Sequence, residues 1–328
     1  MIEPWRMVMK NFWIGLFCAA GLAVAGAALA VDFPTKPVRL VVPFAPGGTL
    51  DVVGRLLARE LQEGWGQPVI VENRGGAGSA IGVDYVAKSA PDGYTLVINA
   101  ATPMVTVVHL QDVPYNLTRD LIGVAQTAAI DYALAVSPRS GVKTVKELVE
   151  LARAQPGKLN FSSAGNGSGP HMYMELFANA ANIKLTHIPY KGNAPAMQAM
   201  LAGEVDLIFD TILGILPHAS AGKLRPLMVS SAKPAPALPG VPTMDSVYPG
   251  SSMDGWHGVF APATTPKDVI NKIAEDIRKA VLSPDLAARL RKMGFEPTGM
   301  DSARFNEVIR RDSARWAKII RDNHIRAN

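Results

Sequence analysis

Leu-Asn-Phe-Ser-Ser-Ala-Gly-Asn-Gly-Ser-Gly-Pro-His, residues 159–171, runs from a short apolar segment through small residues into a helix that opens at Pro170. Proline suits the first helical position because its fixed φ is already helical and the N–H it lacks would have no partner there. A loop of this kind bares consecutive backbone N–H groups at a helix N-terminus, where an anion is favoured. The same arrangement stands upstream at Pro-Phe-Ala-Pro-Gly-Gly-Thr, residues 43–49, again between a strand-length apolar run and a helical stretch. Two such loops, about 120 residues apart, predict two lobes that share one site for a small acid.

The chain between and around them alternates short β-branched runs with longer amphipathic stretches. Residues 38–44 form an apolar run broken only by Arg39, as a buried parallel strand does. A helical face follows over 50–62, then a strand at 69–71, a helix at 80–87 and a strand at 94–99 after the turn Pro91-Asp92-Gly93. This βαβαβ order predicts a parallel sheet with right-handed crossovers. The theme recurs as strands at 133–136, 159–162, 185–188, 205–209 and 224–230, with helices at 145–154, 170–181, 194–201 and 213–219. Residues 233–242 read as a Pro-rich loop, and the C-terminus is helical, with Val269, Ile270, Ile273, Ile277 and Val281 on one face. We expect lobe one to comprise 31–103 plus 225–328 and lobe two 104–224.

The first thirty residues read as a secretory signal peptide. Arg6 and Lys10 precede an uncharged, largely apolar segment from Phe12 to Leu29, and Ala28-Leu29-Ala30 is a small-x-small site with cleavage expected after Ala30. Cys18 is the only cysteine, so a chain cut there has none and relies on core burial. Near 300 residues that suffices, since such chains bury roughly three quarters of their unfolded surface. The net charge is +5, falling to +4 without Glu3, Arg6 and Lys10, and it is too dispersed for nucleic acid. The six histidines are scattered and there is no CxxC, so no metal site or cofactor is expected.

Taken in order, a series of short segments resembles the Bordetella-uptake-gene family of periplasmic solute receptors, the extracytoplasmic binding components of tripartite tricarboxylate transporters. These are Phe33-Pro-Thr-Lys-Pro37, Val41-Val-Pro-Phe-Ala-Pro-Gly-Gly48 with Asp51, Val71-Glu-Asn-Arg-Gly-Gly-Ala-Gly78 and Pro91-Asp-Gly-Tyr-Thr-Leu96. The loop at 162–171, His187-Ile-Pro-Tyr-Lys-Gly192, Gly203-Glu-Val-Asp206 with Phe209-Asp210, Leu216-Pro-His218, Gly222-Lys-Leu-Arg-Pro-Leu227 and Pro239-Gly-Val-Pro-Thr243 continue it. The resemblance implies an α/β, two-lobed periplasmic-binding-protein fold of the type II, Venus-flytrap kind, each lobe a mainly parallel sheet flanked by helices. It also implies a monomeric, non-enzymatic receptor that closes on a small mono-, di- or tricarboxylate and passes it to a membrane permease.

The resemblance puts the ligand between the loops at 44–49 and 162–168. The residues agree. Phe44 enters the first loop, Gly47 and Gly48 admit close backbone approach, and Thr49 either caps the helix or offers its hydroxyl. Ser163, Ala164, Gly165 and Ser168 supply hydroxyl and backbone donors. His171 either orients the ligand or the Ser168 hydroxyl, or serves as a core histidine. Ala101 and Thr102 follow the third strand and should line the cleft. Asp210 ends a strand, where α/β sheets place ligand residues; it pairs with an amino group, holds a water or caps the next helix. Asp51, in a first helical turn, reads as structural, and Arg74 and Lys191 as solvated charges.

Enzyme readings fit poorly. Ser168 lacks the G-x-S-x-G setting, since Asn166 and Pro170 occupy the glycine positions, and His171 is only a local neighbour. Gly76, Gly78 and Gly82 miss the dinucleotide spacing by one residue, and no Walker lysine follows Gly48. A ligand-occupancy sensor for a membrane signalling partner would use the same fold and site.

Overall fold

A computed structural model describes residues 32–190, 192–322 and 325. The expected signal segment, its cleavage after Ala30, Cys18 and Lys191 lie outside the described residues. The chain opens as β1 (Val38–Val42), α1 (Thr49–Trp65), β2 (Val69–Asn73), α2 (Ala80–Ala87) and β3 (Thr95–Ala100), the expected βαβαβ order. Val38, Leu40, Val41 and Val42 are buried. Arg39 alone leaves the sheet, pairing with Glu72 at 3.0 Å and reaching the Tyr85 hydroxyl. Helix α1 turns Leu50, Val53, Leu57 and Leu61 inward, the face its 3.6-residue period prescribes.

After the short helices α3 (Ala101–Val105) and α4 (Val107–Leu110) comes β4 (Leu121–Ile130), then β5 (Tyr132–Val136), α5 (Val145–Ala154), β6 (Asn160–Ser163) and α6 (Gly169–Ala181). β7 (Thr186–Pro189), α7 (Asn193–Ala202), β8 (Leu207–Thr211), α8 (Ile212–Ser220) and β9 (Arg225–Val229) follow. The chain ends with α9 (Met244–Val247), β10 (Gly255–Pro262), α10 (Lys267–Val281), α11 (Pro284–Lys292), β11 (Phe295–Met300) and α12 (Ser302–Asp322). Two sheets result, in the orders β11-β4-β10-β3-β1-β2 and β7-β6-β8-β5-β9.

Both sheets are mixed rather than mainly parallel. β1 is parallel to β2 and β3, and β6 to β7 and β8, but β10 is antiparallel to β3 and β4, and β5 to β8 and β9. The crossings also differ from those expected near 103 and 224. β4 belongs to the first sheet and β9 to the second, so the chain changes sheet at Asp131 and returns between residues 230 and 254.

The residues Pro34–Asn328 form one compact unit. One core cluster joins Val41 and Val97 of the first sheet with Phe161 and Phe209 of the second, through Met172, Tyr173 and Trp316 on α6 and α12. Tyr132, first residue after the crossing, stacks on Tyr173 at 4.3 Å, and Tyr173 meets the edge of Trp316 at 5.8 Å. Helix α12 lies against the first sheet because β10 and β4 carry glycine beneath Phe305. A Cβ on Gly258 would stand 2.2 Å from the Phe305 ring, and one on Gly123 2.8 Å.

Candidate functional site

Both loops singled out in the sequence follow the carboxyl end of a strand and open a helix. In the first, Gly47 adopts φ +83°, a conformation open to glycine, and its N–H donates to Asp51 Oδ2 at 2.9 Å. Asp51 is buried and also accepts from Arg55 Nε at 3.0 Å and Asn73 Nδ2 at 2.9 Å. The Arg55 hydrogen bond, with those from Gly47 and Asn73, holds its carboxyl down at about 2 against the opposing effect of burial. Asp51 is thus the clasp that shapes the loop, and Asn73 adds a bond to Phe44 O at 3.0 Å. Gly48 is the N-cap at φ −74°, and exposed Thr49 begins α1 without capping it through its side chain. The first-turn N–H groups have no partner within the helix.

The second loop is more self-engaged than a row of bare donors. Gly165 N–H donates to Ser163 Oγ at 3.1 Å, Gly167 N–H to His171 Nδ1 at 3.0 Å, and Ser168 N–H to Gly165 O at 3.2 Å. Ser168 is the N-cap of α6, yet its hydroxyl makes no cap bond and is buried without a hydrogen-bond partner. Ser163 is fully buried, its Oγ 2.5 Å from His187 Nε2. Ala164 is half-buried beside it. Gly167 brings the loop against the first sheet's helices, since a Cβ there would meet Leu110 Cδ1 at 2.8 Å.

Beneath this loop the imidazoles of His171 and His187 stack at 3.9 Å, within 5° of parallel, and His187 stacks in turn on Phe161 at 4.8 Å. Burial, reinforced by His187, pushes His171 down to about 3, and burial pushes His187 down to about 4. Glu175 Oε1 stands 3.7 Å from His171 Nε2, but burial raises this carboxyl to about 7 and His171 is neutral, so the contact is not an ion pair at neutral pH. His187 and Tyr132 were not singled out in the sequence. The β6–β7 register, which sets His187 opposite Phe161, is the feature that brings the first to the loop.

Ala101 and Thr102 begin α3 and are buried, and Ala101 belongs to the core cluster shared by the two sheets. Asp210 lies one residue before the end of β8, close to where the sequence placed it. It is buried, accepts from Asn193 Nδ2 at 2.6 Å and Thr211 N–H at 2.7 Å, and burial raises it to about 6. The N-cap of α8 is Thr211, whose hydroxyl accepts from Gly214 N–H at 3.3 Å, so capping does not fall to Asp210. Arg74 is committed elsewhere, with Nε 2.5 Å from Glu72 and its guanidinium 3.6 Å from the Tyr85 ring centroid. Thus Ser163, Gly165, Ser168 and His171 form one bonded cluster. No hydrogen bond among the described residues links it to the loop at 44–49. Among the described residues no group of three or more His, Cys, Asp or Glu could hold a metal.

Two mixed α/β sheets joined by two crossings, with small-residue loops at the carboxyl ends of their strands, define the class of periplasmic solute-binding proteins. The model of the tripartite tricarboxylate transporter receptor family matches residues 53–325, and the chain belongs to that family. BugT of Bordetella pertussis is 33% identical over 312 residues, covering 94% of this chain and 95% of that protein. Rpa4515 of Rhodopseudomonas palustris, solved with adipate, is 33% identical with a TM-score of 0.78, covering 90% of this chain and all of that one. MatC of the same organism, solved with malate, is 29% identical with a TM-score of 0.75, covering 88% of this chain and all of that one. The resemblance read in the sequence, the two-lobed fold and the receptor role are borne out.

Proposed function

We propose that this receptor captures a small organic acid, with two carboxylates favoured, by closing its lobes, and hands it to the membrane permease of a tripartite transporter. The observation that carries this reading is the Ser168 hydroxyl, buried and unpartnered at the head of α6. A carboxylate seated there accepts from Ser168 Oγ and from the first-turn N–H groups of the helix. The first-turn N–H groups of α1, beside Gly48 and Thr49, supply the matching set for a second carboxylate. Phe44, Ala101 and Thr102 wall the space between. Adipate and malate in two relatives support the class of ligand.

The Ser163–His187 pair resembles a dyad, but Ser163 is fully buried and its Oγ accepts from Gly165 N–H, which supports a structural role for it. We further propose that the protein acts in the periplasm after cleavage behind Ala30.

The test is a thermal-shift panel on refolded, ligand-free protein with adipate, malate, amino acids, aromatic acids and the matching amides. An acid at one hundred times its dissociation constant adds about 2.7 kcal/mol of stability, a rise of several degrees. A rise with acids and none with their amides is expected. Silence with every acid, or a rise with a nicotinamide nucleotide, would remove the proposal.

A further inference from the structure

We propose that His171 and His187 are positioning residues: stacked beneath the loop at 163–168, they fix its shape as hydrogen-bond partners of Gly167 and Ser163, and neither binds the ligand's charge. This rests on the carboxylate-receptor reading of the same loop.

The argument begins with the glycines. Gly165 and Gly167 both have positive φ, at +119° and +73°, a path glycine adopts freely but does not hold alone, because its backbone has many other conformations open to it. Two bonds that hold it come from imidazoles. Gly167 N–H points at His171 Nδ1, 3.0 Å away, which requires that nitrogen to carry no proton and puts the ring proton on Nε2, the side of Glu175. Ser163 Oγ, which takes the Gly165 N–H, is anchored by His187 Nε2. The two rings face each other at 3.9 Å, a spacing that two imidazolium charges would not tolerate. Phe161 packs against both rings, 4.8 Å from His187 and 6.2 Å from His171, and Glu175 stands at the Nε2 edge of His171. With three of the loop's N–H groups engaged within the loop or by His171, the Ser168 hydroxyl is left buried and without a hydrogen-bond partner. A protonated Nδ1 on His171 would set one N–H donor against another, break the Gly167 bond and dissolve this arrangement.

Three proteins and one spectrum test the assignment. His171→Phe keeps the stacked ring and removes the acceptor. His171→Asn removes the ring but offers Oδ1 as an acceptor in place of Nδ1. Titration calorimetry with adipate and with malate at pH 7.5 should show affinity at least tenfold weaker in the Phe variant and largely restored in the Asn variant. Equal binding by wild type and Phe variant, or equal loss in both variants, overturns the assignment. Nitrogen-15 spectra of ligand-free wild type decide it independently of variant folding: His171 Nδ1 should show the shift of an unprotonated acceptor at pH 7.5, and an imidazolium or Nδ1-protonated ring overturns it. A wild type that binds neither acid counts against the carboxylate reading alone, because the ligand-free spectrum still decides the loop.

Discussion

Gly48 is where a backbone donor can be removed with little disturbance. Its φ of −74° already suits proline, and its carbonyl, which accepts from Val52 N–H at 3.0 Å, is retained in a substitution. Gly48→Pro should therefore weaken acid binding at least tenfold by calorimetry while leaving the circular dichroism unchanged. Asp51 behaves oppositely. Loss of its carboxylate strands the Gly47 and Asn73 donors, so Asp51→Ala should cost about 2 kcal/mol in urea unfolding at pH 7.5. Because its folded pKa lies below the usual carboxylate value, this contribution is complete above about pH 4 and fades as pH falls toward 2. Asp210 carries the reverse sign. Burial raises it to about 6, so the ionised fold is penalised above that pH and unpenalised below about 4. Asp210→Asn keeps an oxygen for Asn193 and Thr211 and should raise Tm at pH 7.5, by about 1–3 kcal/mol of stability, with the gain vanishing at acid pH.

At the scale of elements, helices were far more legible than strands. Helices α2 and α5 have the expected bounds, because their apolar spacing and flanking turns agree. Thr144 caps α5 by accepting from Glu147 N–H at 3.2 Å, while Glu147 accepts from Lys143 N–H at 2.7 Å. Thr144→Ala should cost about 1 kcal/mol in thermal unfolding. Strands β4, β10 and β11 escaped the sequence reading for a physical reason. Buried on both faces, β4 and β10 have no polar alternation, and their glycines, Gln126 and His257 break the apolar run that marks an inner strand. Those glycines are packing sites. Gly258→Ala drives a methyl into Phe305 and should cost about 1–3 kcal/mol, measurable as a lower urea midpoint. The site divides in the same way. Loops at glycine-rich strand–helix turns could be read from the sequence, whereas His187 depends on strand register and the internal use of Gly47, Gly165 and Gly167 depends on folded geometry.

For the whole molecule, the shared core matters more than the two-sheet division. Phe161 and Phe209 belong to the same buried cluster as Val41 and Val97, which ties the sheets together, and the second sheet adds a cluster around Ile208, Ile212, Ile215 and Val229. Urea unfolding followed by far-ultraviolet circular dichroism and by the fluorescence of Trp256 and Trp316 should give one coincident transition. Two separated transitions would show that the sheets unfold independently. The crossings differ in kind: a single residue, Asp131, on the way out, and residues 230–254 on the way back.

The position of β10 sets a timetable. It is wedged between β3 and β4, though it follows β4 by more than a hundred residues. A chain threaded N-terminus first offers β3 and β4 to its surroundings as two naked edges until residue 262 arrives to bridge them. The second sheet, contiguous from Tyr132 to Val229, has every strand in hand by then. The newborn receptor thus passes through a half-built stage whose sticky margins invite aggregation, and a chaperone that shields extended apolar edges has its moment of greatest use there.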